Sequence, residues 1–290
     1  MLHTSDVEKR LKACPEPDEV REMRHKVIDS FSDLEFFEGP HKYIRHMDNG
    51  VDIQLPSVTG VVQRWEQPVD WDVVRINKAH ALGIDPLDLK RQWRETNLKA
   101  TSNGSKTHLF GESCLYFMRN RPDLIEHEVA HYQLEDGFLI PYGMKEIAAS
   151  KLYEDILTNY NVFPVMAEAK VYTGKNDTLK LKEDYCGTFD ILWAYRDGNG
   201  VIQPLLMDWK TNGSLYNDFN RKNGVMMLPP FEDFVDEALS HYTIQLSMYS
   251  LAMEQLGIIP KNRIIIWLKD DGTYEKIPVP YVGDRLRKVL

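Results

Sequence analysis

Two short apolar runs, Thr188–Tyr195 and Pro204–Trp209, flank the cluster Asp197-Gly-Asn-Gly200. Turn-forming residues between two β-prone runs predict a hairpin. Upstream, Val162–Tyr172 has the composition of a further strand. Downstream, Arg263–Leu268 reads as a buried strand that Asp271-Gly272 turns back into Tyr274–Val279. Helical spacing predicts a helix over 143–160, with Ile147, Leu152, Ile156 and Leu157 on its buried side. A second long helix is expected over Phe234–Leu256. Strands therefore alternate with helices from 143 onward, which predicts an α/β core.

The first half of the chain has a different pattern. Residues 1–33 form an acidic, mixed helical lead-in. His41–Arg45 and Val51–Leu55 surround Met47-Asp-Asn-Gly50, and Asn-Gly is a strong hairpin signal within 36–55. Ser57 is placed to cap a short helix, or to aim a hydroxyl and free N–H groups at a phosphate. Residues 70–121 read as mostly helical, whereas 122–142 look irregular between Pro122 and Pro141. After Lys210 a polar connection runs to about Pro230, with Arg221, Lys222 and an exposed-looking Met226-Met-Leu. A connection of that length suggests a functional flap or a disordered segment. There is no internal repeat or low-complexity segment.

Composition adds limits. The 290 residues are 43% hydrophobic and 27% charged, ordinary for a chain with a full core. No apolar run reaches the length that spans a bilayer, so no membrane role is expected. The N-terminus lacks an apolar signal region, and its acidic residues argue against a mitochondrial transit peptide. Cys14, Cys114 and Cys186 are scattered, too few for a four-thiolate zinc or iron–sulfur site, and suggest a reducing cytoplasm. A net charge of −9 opposes diffuse binding to nucleic acid. Any nucleic acid would need a local basic groove, metal ions or both.

Several polar residues sit badly in these apolar runs. Asp190 lies inside one predicted strand and Asp208 near the end of the next, with Lys210 on the same face as Asp208. Such groups are costly to bury unless they pair or bind a cation. A solvated Asp–Lys pair on a surface hairpin would also fit. Glu168 puts a third carboxylate in a strand, where it could equally be an edge-strand charge that deters aggregation. His108 and Glu112, after Gly104-Ser-Lys-Thr, share a helix face, as do His241, Gln245 and Tyr249. Trp71 and Trp93 lie among arginines and lysines, a mixture that suits either base stacking or a core with a solvated face.

In this order the motifs resemble those of the PD-(D/E)XK nuclease superfamily, and its RecB-type exonucleases in particular. Asp190 in Gly187-Thr-Phe-Asp-Ile-Leu and Asp208-Trp-Lys210 match the metal and catalytic motifs. Gly104-Ser-Lys-Thr-His108 matches the upstream histidine motif, and Gln245-Leu-Ser-Met-Tyr249 the QxxxY motif. Pro56-Ser-Val-Thr59 is similar to a segment of the mitochondrial genome maintenance exonuclease and of phage-encoded relatives. The likeness runs from about His41 to Leu268. Met207 stands where the family name has proline. The four cysteines of the iron–sulfur branches are missing, so no such cluster is expected. The acidic N-terminus departs from the mitochondrial enzyme.

The resemblance implies a restriction-endonuclease-like α/β core, a central mixed sheet flanked by helices, with a helical N-terminal addition. It implies one nuclease domain over 1–290: a lead-in at 1–33, an N-terminal hairpin and helical arch at 34–140, and a catalytic core at 141–290. Mg²⁺ or Mn²⁺ would be held by His108, Asp190, Asp208 and the main-chain carbonyl of Trp209. Oxygen ligands suit Mg²⁺, and imidazole also suits Mn²⁺. Lys210, Asp208, Asp190 and Glu168 would be catalytic, with Glu168 orienting water or Lys210 rather than binding metal. Gln245, Tyr249, Ser57, Thr59 and Lys106 would contact substrate. The implied substrate is DNA, as single strands or ends. The implied setting is the cytoplasm, in phage or bacterial recombination, repair or replication, beside other proteins of that machinery. The segment 60–121, with Arg64, Arg75, Lys78, Lys90, Arg91 and Lys106, would arch over the strand. A flap endonuclease on the same fold and a non-catalytic nucleic-acid-binding scaffold are the alternatives.

Overall fold

In the computed structural model, residues 1–120, 133–176 and 178–290 are described. The chain opens with two helices, α1 (Thr4–Ala13) and α2 (Asp18–Ser30). Arg10 on α1 is buried and donates to the carbonyls of Ile156 and Asn159 at 2.6 and 2.9 Å, tying the lead-in to the chain leaving a later helix. An antiparallel sheet follows: β1 (Leu34–Phe37), β2 (Lys42–His46) and β3 (Asp52–Leu55). The hairpin expected around Asn49-Gly50 is its second half, and Leu34–Phe37 adds a third strand.

Ser57 then caps the short α3 (Val58–Val62), its hydroxyl accepting the Gly60 N–H at 3.1 Å. Helices α4 (Trp71–Leu82) and α5 (Pro86–Met118) form a hairpin around Gly83, which takes the left-handed conformation (φ 66°) that glycine tolerates best. The irregular stretch expected at 122–142 falls partly on 121–132, outside the described residues. Its remainder is a small hairpin, β4 (Gln133–Glu135) and β5 (Phe138–Ile140), turned at Asp136-Gly137.

The main layer is a five-stranded mixed sheet. Helix α6 (Met144–Leu157) leads into β6 (Val162–Tyr172), β7 (Cys186–Arg196) and β8 (Ile202–Lys210), an antiparallel meander. After β8 come α7 (Asp218–Asn223) and α8 (Ala238–Glu254), and the chain returns as β9 (Asn262–Leu268), parallel to β8. Strand β10 (Tyr274–Pro278) pairs with β9 and α9 (Gly283–Val289) closes the chain. The sheet order is β10-β9-β8-β7-β6.

Each sheet face has its own apolar layer. Leu206, Ile265 and Phe189 pack with Ile244, Met248 and Tyr249 of α8 and with α3. Met207, Trp209 and Ile266 pack on the other side with Phe110 and Leu115 of α5 and Leu152 and Tyr153 of α6. Helix α8 is buried nearly all round, so it shows no single apolar stripe. It is shorter than expected at its start because Asp236 and Glu237 are engaged in side-chain bonds before the first turn. The connection after β8 is not a loose flap. Met227 is buried within it, and its N–H bonds Phe234 at 2.9 Å, correcting the exposed reading of that methionine. Among the described residues, no helix is long and apolar enough to cross a membrane.

Candidate active site

Strand register lines up three carboxylates. Between the pairs Ala167–Ile191 and Ala169–Phe189, Glu168 of β6 stands opposite Asp190 of β7. One step past the pair Ile191–Met207, Asp190 stands opposite Asp208 of β8. At that step a side-chain bond holds β7 to β8: the Trp209 N–H donates to Asp190 Oδ2 at 2.7 Å. Glu168 has φ 48°, unusual for a residue with a side chain, and the departure lies within the acidic row.

His108 reaches the same place from α5. Its Nδ1 lies 3.5 Å from Asp190 Oδ2 and 3.8 Å from Glu168 Oε1. What brings α5 so close is Gly111, one turn on, where an added Cβ would stand 2.8 Å from the Trp209 indole nitrogen. The Tyr153 hydroxyl donates to the Gly111 carbonyl at 2.8 Å and fixes the contact from α6. One ligand atom from each of His108, Glu168 and Asp190 lies within 4.8 Å of the others. This group differs from the expected ligand set. Glu168, expected to orient rather than ligate, is inside it, and Asp208 is not. Trp209 meets the group through its amide N–H.

Asp208 is 1% exposed and contacts the Lys210 ammonium. Neither of its carboxylate oxygens has a hydrogen bond of good geometry. Lys210 Nζ also lies 4.2 Å from the centre of the Tyr242 ring on α8. The Tyr242 hydroxyl donates to Asn212 Oδ1 at 3.0 Å, which holds the ring in place. Tyr242 escaped the sequence reading, although it stands three residues before Gln245 and seven before Tyr249, on one helix face.

The charges are strongly interdependent. Burial works against the His108 imidazolium, but Asp190 and Glu168 outweigh it and raise its pKa to about 10. Burial raises Asp208 to about 7, with repulsion from Asp190 adding to it and Lys210 opposing it. Burial likewise lifts Glu168 to about 7, against the pull of His108. Asp190 is held below the ordinary carboxylate range, since His108 and Lys210 overcome its burial. Lys210 is raised above the usual lysine value, because Asp208 and Asp190 overcome the burial that would neutralise it.

The remaining candidates lie around this centre. Gln245 Nε2 donates to the Tyr249 hydroxyl at 3.0 Å. Tyr249 is buried against Gly187, where an added Cβ would meet its ring at 2.8 Å, so the partly exposed Gln245 is the member of the pair open to solvent. Pro56 accepts the Cys186 N–H at 3.0 Å, so the segment 56–59 is bound to the start of β7. Thr59 and Lys106 are exposed on α3 and α5. His241 turns to Asp236 at 2.6 Å and to Glu66 at 3.5 Å. Lys145 also escaped the sequence reading; its ammonium bonds the Thr211 carbonyl and lies 3.1 Å from Asp270, beside the end of β8.

No family model matches this chain, and a search of curated proteins found no match.

Proposed function

We propose that this chain is a divalent-metal-dependent DNA exonuclease of the PD-(D/E)XK type, acting on single strands or ends in phage or bacterial DNA recombination, repair or replication. The observation that carries the reading is the meeting of His108, Glu168 and Asp190, with Lys210 on the adjoining Asp208. The residues suit a hard or borderline cation. Two carboxylates and an imidazole whose proton the cation displaces are acceptable ligands for Mg²⁺ or Mn²⁺. Asp208 beside them is buried, with the Lys210 ammonium on Oδ2 and no partner on Oδ1. His108, Glu168 and Asp190 would hold the cation, with Asp208 next to it. When bound, it supplies Lewis acidity toward the phosphate and lowers the pKa of water.

The protein's own groups divide the remaining work. Lys210 keeps its proton, so it donates to a phosphoryl oxygen and stabilises developing charge rather than acting as a base. Asp208, held beside Lys210, is the carboxylate placed to accept a proton from the attacking water. Tyr242 fixes the Lys210 ammonium by its ring face. Gln245, steadied by Tyr249, offers an amide to the substrate backbone. Phosphate contacts of this kind carry no sequence information.

The test is digestion of end-labelled linear DNA and of a closed single-stranded circle with Mg²⁺, Mn²⁺ or EDTA. Metal-dependent loss of the linear strand with the circle spared is expected. Equal cutting of the circle would favour an endonuclease, and no cutting under any condition would end the catalytic reading.

A further inference from the structure

Away from the acidic centre, α4 and the first half of α5 enclose a notch of about 680 Å³ lined by Trp71, Arg75, Lys78, Lys90 and Trp93. The two indoles meet edge to face, with centroids 6.5 Å apart. Trp71 is 66% exposed. Lys78 Nζ lies 5.8 Å from the Trp93 ring centre. The acid in the notch, Asp72, is neutralised by Arg75 at 2.7 Å. Residues 71–99 hold six lysines and arginines against four aspartates and glutamates, in a chain whose net charge is −9.

An exposed indole surrounded by cations matches a flat aromatic ligand that carries negative charge. A purely apolar partner would leave the lysines unpaired, and inorganic phosphate would leave the indoles uncovered. The notch also leads toward the site. Thr96 lines both it and a second depression of about 640 Å³, which reaches Gly104, Lys145 and Thr211. Gly104 is one turn before His108 on α5, and Thr211 follows Lys210. From Trp93 to Gly104 the helix rises about 17 Å, room for several nucleotides of an extended strand.

We propose that Trp71 and Trp93 form a base-stacking subsite for single-stranded DNA, engaging bases several nucleotides from the phosphate at Lys210. This rests on the nuclease reading for the identity of the ligand, but not for its test. Trp65, Trp193 and Trp209 are buried, Trp71 is exposed, and Trp93 and Trp267 are partly buried, so loss of the quenching in a Trp71/Trp93 variant is what assigns the signal to the notch.

Titrate the full chain with an oligothymidylate in EDTA, where no cleavage can occur. Quenching on binding is expected. Trp71→Ala/Trp93→Ala should lose the quenching and bind at least about 10-fold more weakly. Trp71→Tyr/Trp93→Tyr should keep most of the affinity, which separates stacking from damage to the helices. An abasic strand should bind the unaltered chain as weakly as the thymidylate strand binds the alanine variant. Equal binding of abasic and thymidylate strands, or a protein dimer that dissociates in the alanine variant and never takes up the strand, overturns the subsite. If the strand binds with quenching but metal-loaded protein cuts nothing, the subsite stands and the nuclease reading fails. If DNA is cut with the same KM by the alanine variant, the subsite fails alone.

Discussion

The two halves of α5 have the same backbone and opposite surroundings. From Thr107 to Met118 the helix is packed into the core, with Phe110, Cys114 and Leu115 sealed against the sheet and α6. From Pro86 to Gly104 only Leu89 is buried, and Leu87 and Leu98 stand more than 60% exposed. The inner half fixes an imidazole within 4 Å of two carboxylates. The outer half shows solvent an apolar and basic surface that contributes little to folding. Burial thus holds one half against the sheet, and exposure leaves the other in contact with solvent.

The largest effect should come from the inner site. Under the proposed nuclease reading, Lys210→Ala should lower kcat about 100- to 1,000-fold while circular dichroism and the melting temperature show a folded chain; activity within 10-fold of the unaltered chain would remove Lys210 from the proposed chemistry. Next comes packing. Leu115→Ala should destabilise by about 2–5 kcal/mol, and Leu98→Ala by less than about 0.5 kcal/mol, measured by urea unfolding. Similar losses at the two sites would erase the contrast between the halves.

The glycines of α5 sharpen it. Gly111→Ala should cost about 1–3 kcal/mol, because its methyl would enter the Trp209 indole, a contact that outweighs alanine's helical preference. At Gly104 the added Cβ would meet the Thr211 hydroxyl at 3.3 Å, and a side chain at the end of β8 can shift. Gly104→Ala should therefore be neutral or stabilising by up to about 1 kcal/mol. Thermal unfolding of both variants decides this, and a stabilised Gly111→Ala would show that α5 does not press on the sheet there.

The last comparison is of pH dependence. Asp208 moves from an ordinary 3.8 to about 7 in the folded chain, so the folded state holds its proton more tightly. The stability it contributes is fully present below about 3.8 and is lost as pH rises toward 7. In EDTA, Asp208→Asn should therefore show a smaller fall in melting temperature across that window than the unaltered chain. Parallel curves would mean that the carboxyl titrates normally.

Much of the fold was legible because local signals agreed with it. Strand β6 has the bounds expected for it, and Asp197-Gly-Asn-Gly200 does turn β7 into β8. The β4–β5 hairpin was missed even though Asp136-Gly137 is a turn pair, with φ of 50° and 85°. Its strands are three residues each, too short for a visible alternation. The start of α8 and the burial of Met227 depend on contacts between distant segments: Asp236 bonds the Gln67 N–H, and Met227 pairs with Phe234. No local pattern encodes those.

The residues of the candidate site could be named from the sequence, but not their grouping. Spacing on one strand showed that Asp208 and Lys210 share a face, and the structure pairs them. That Glu168 rather than Asp208 meets His108 depends on the register of β6 on β7 and on a left-handed residue inside a strand. Tyr242 reaches Lys210 through the approach of α8 to the end of β8, and this contact has no sequence signature.

The central claim is that His108, Glu168 and Asp190 form a cation site, and a Mn²⁺ titration followed by electron paramagnetic resonance tests it most directly. The unaltered chain should bind Mn²⁺, Asp190→Asn and His108→Ala should bind at least about 10-fold more weakly, and Leu98→Ala should match the unaltered chain. No uptake by the unaltered chain, or equal uptake by all four proteins, would contradict it.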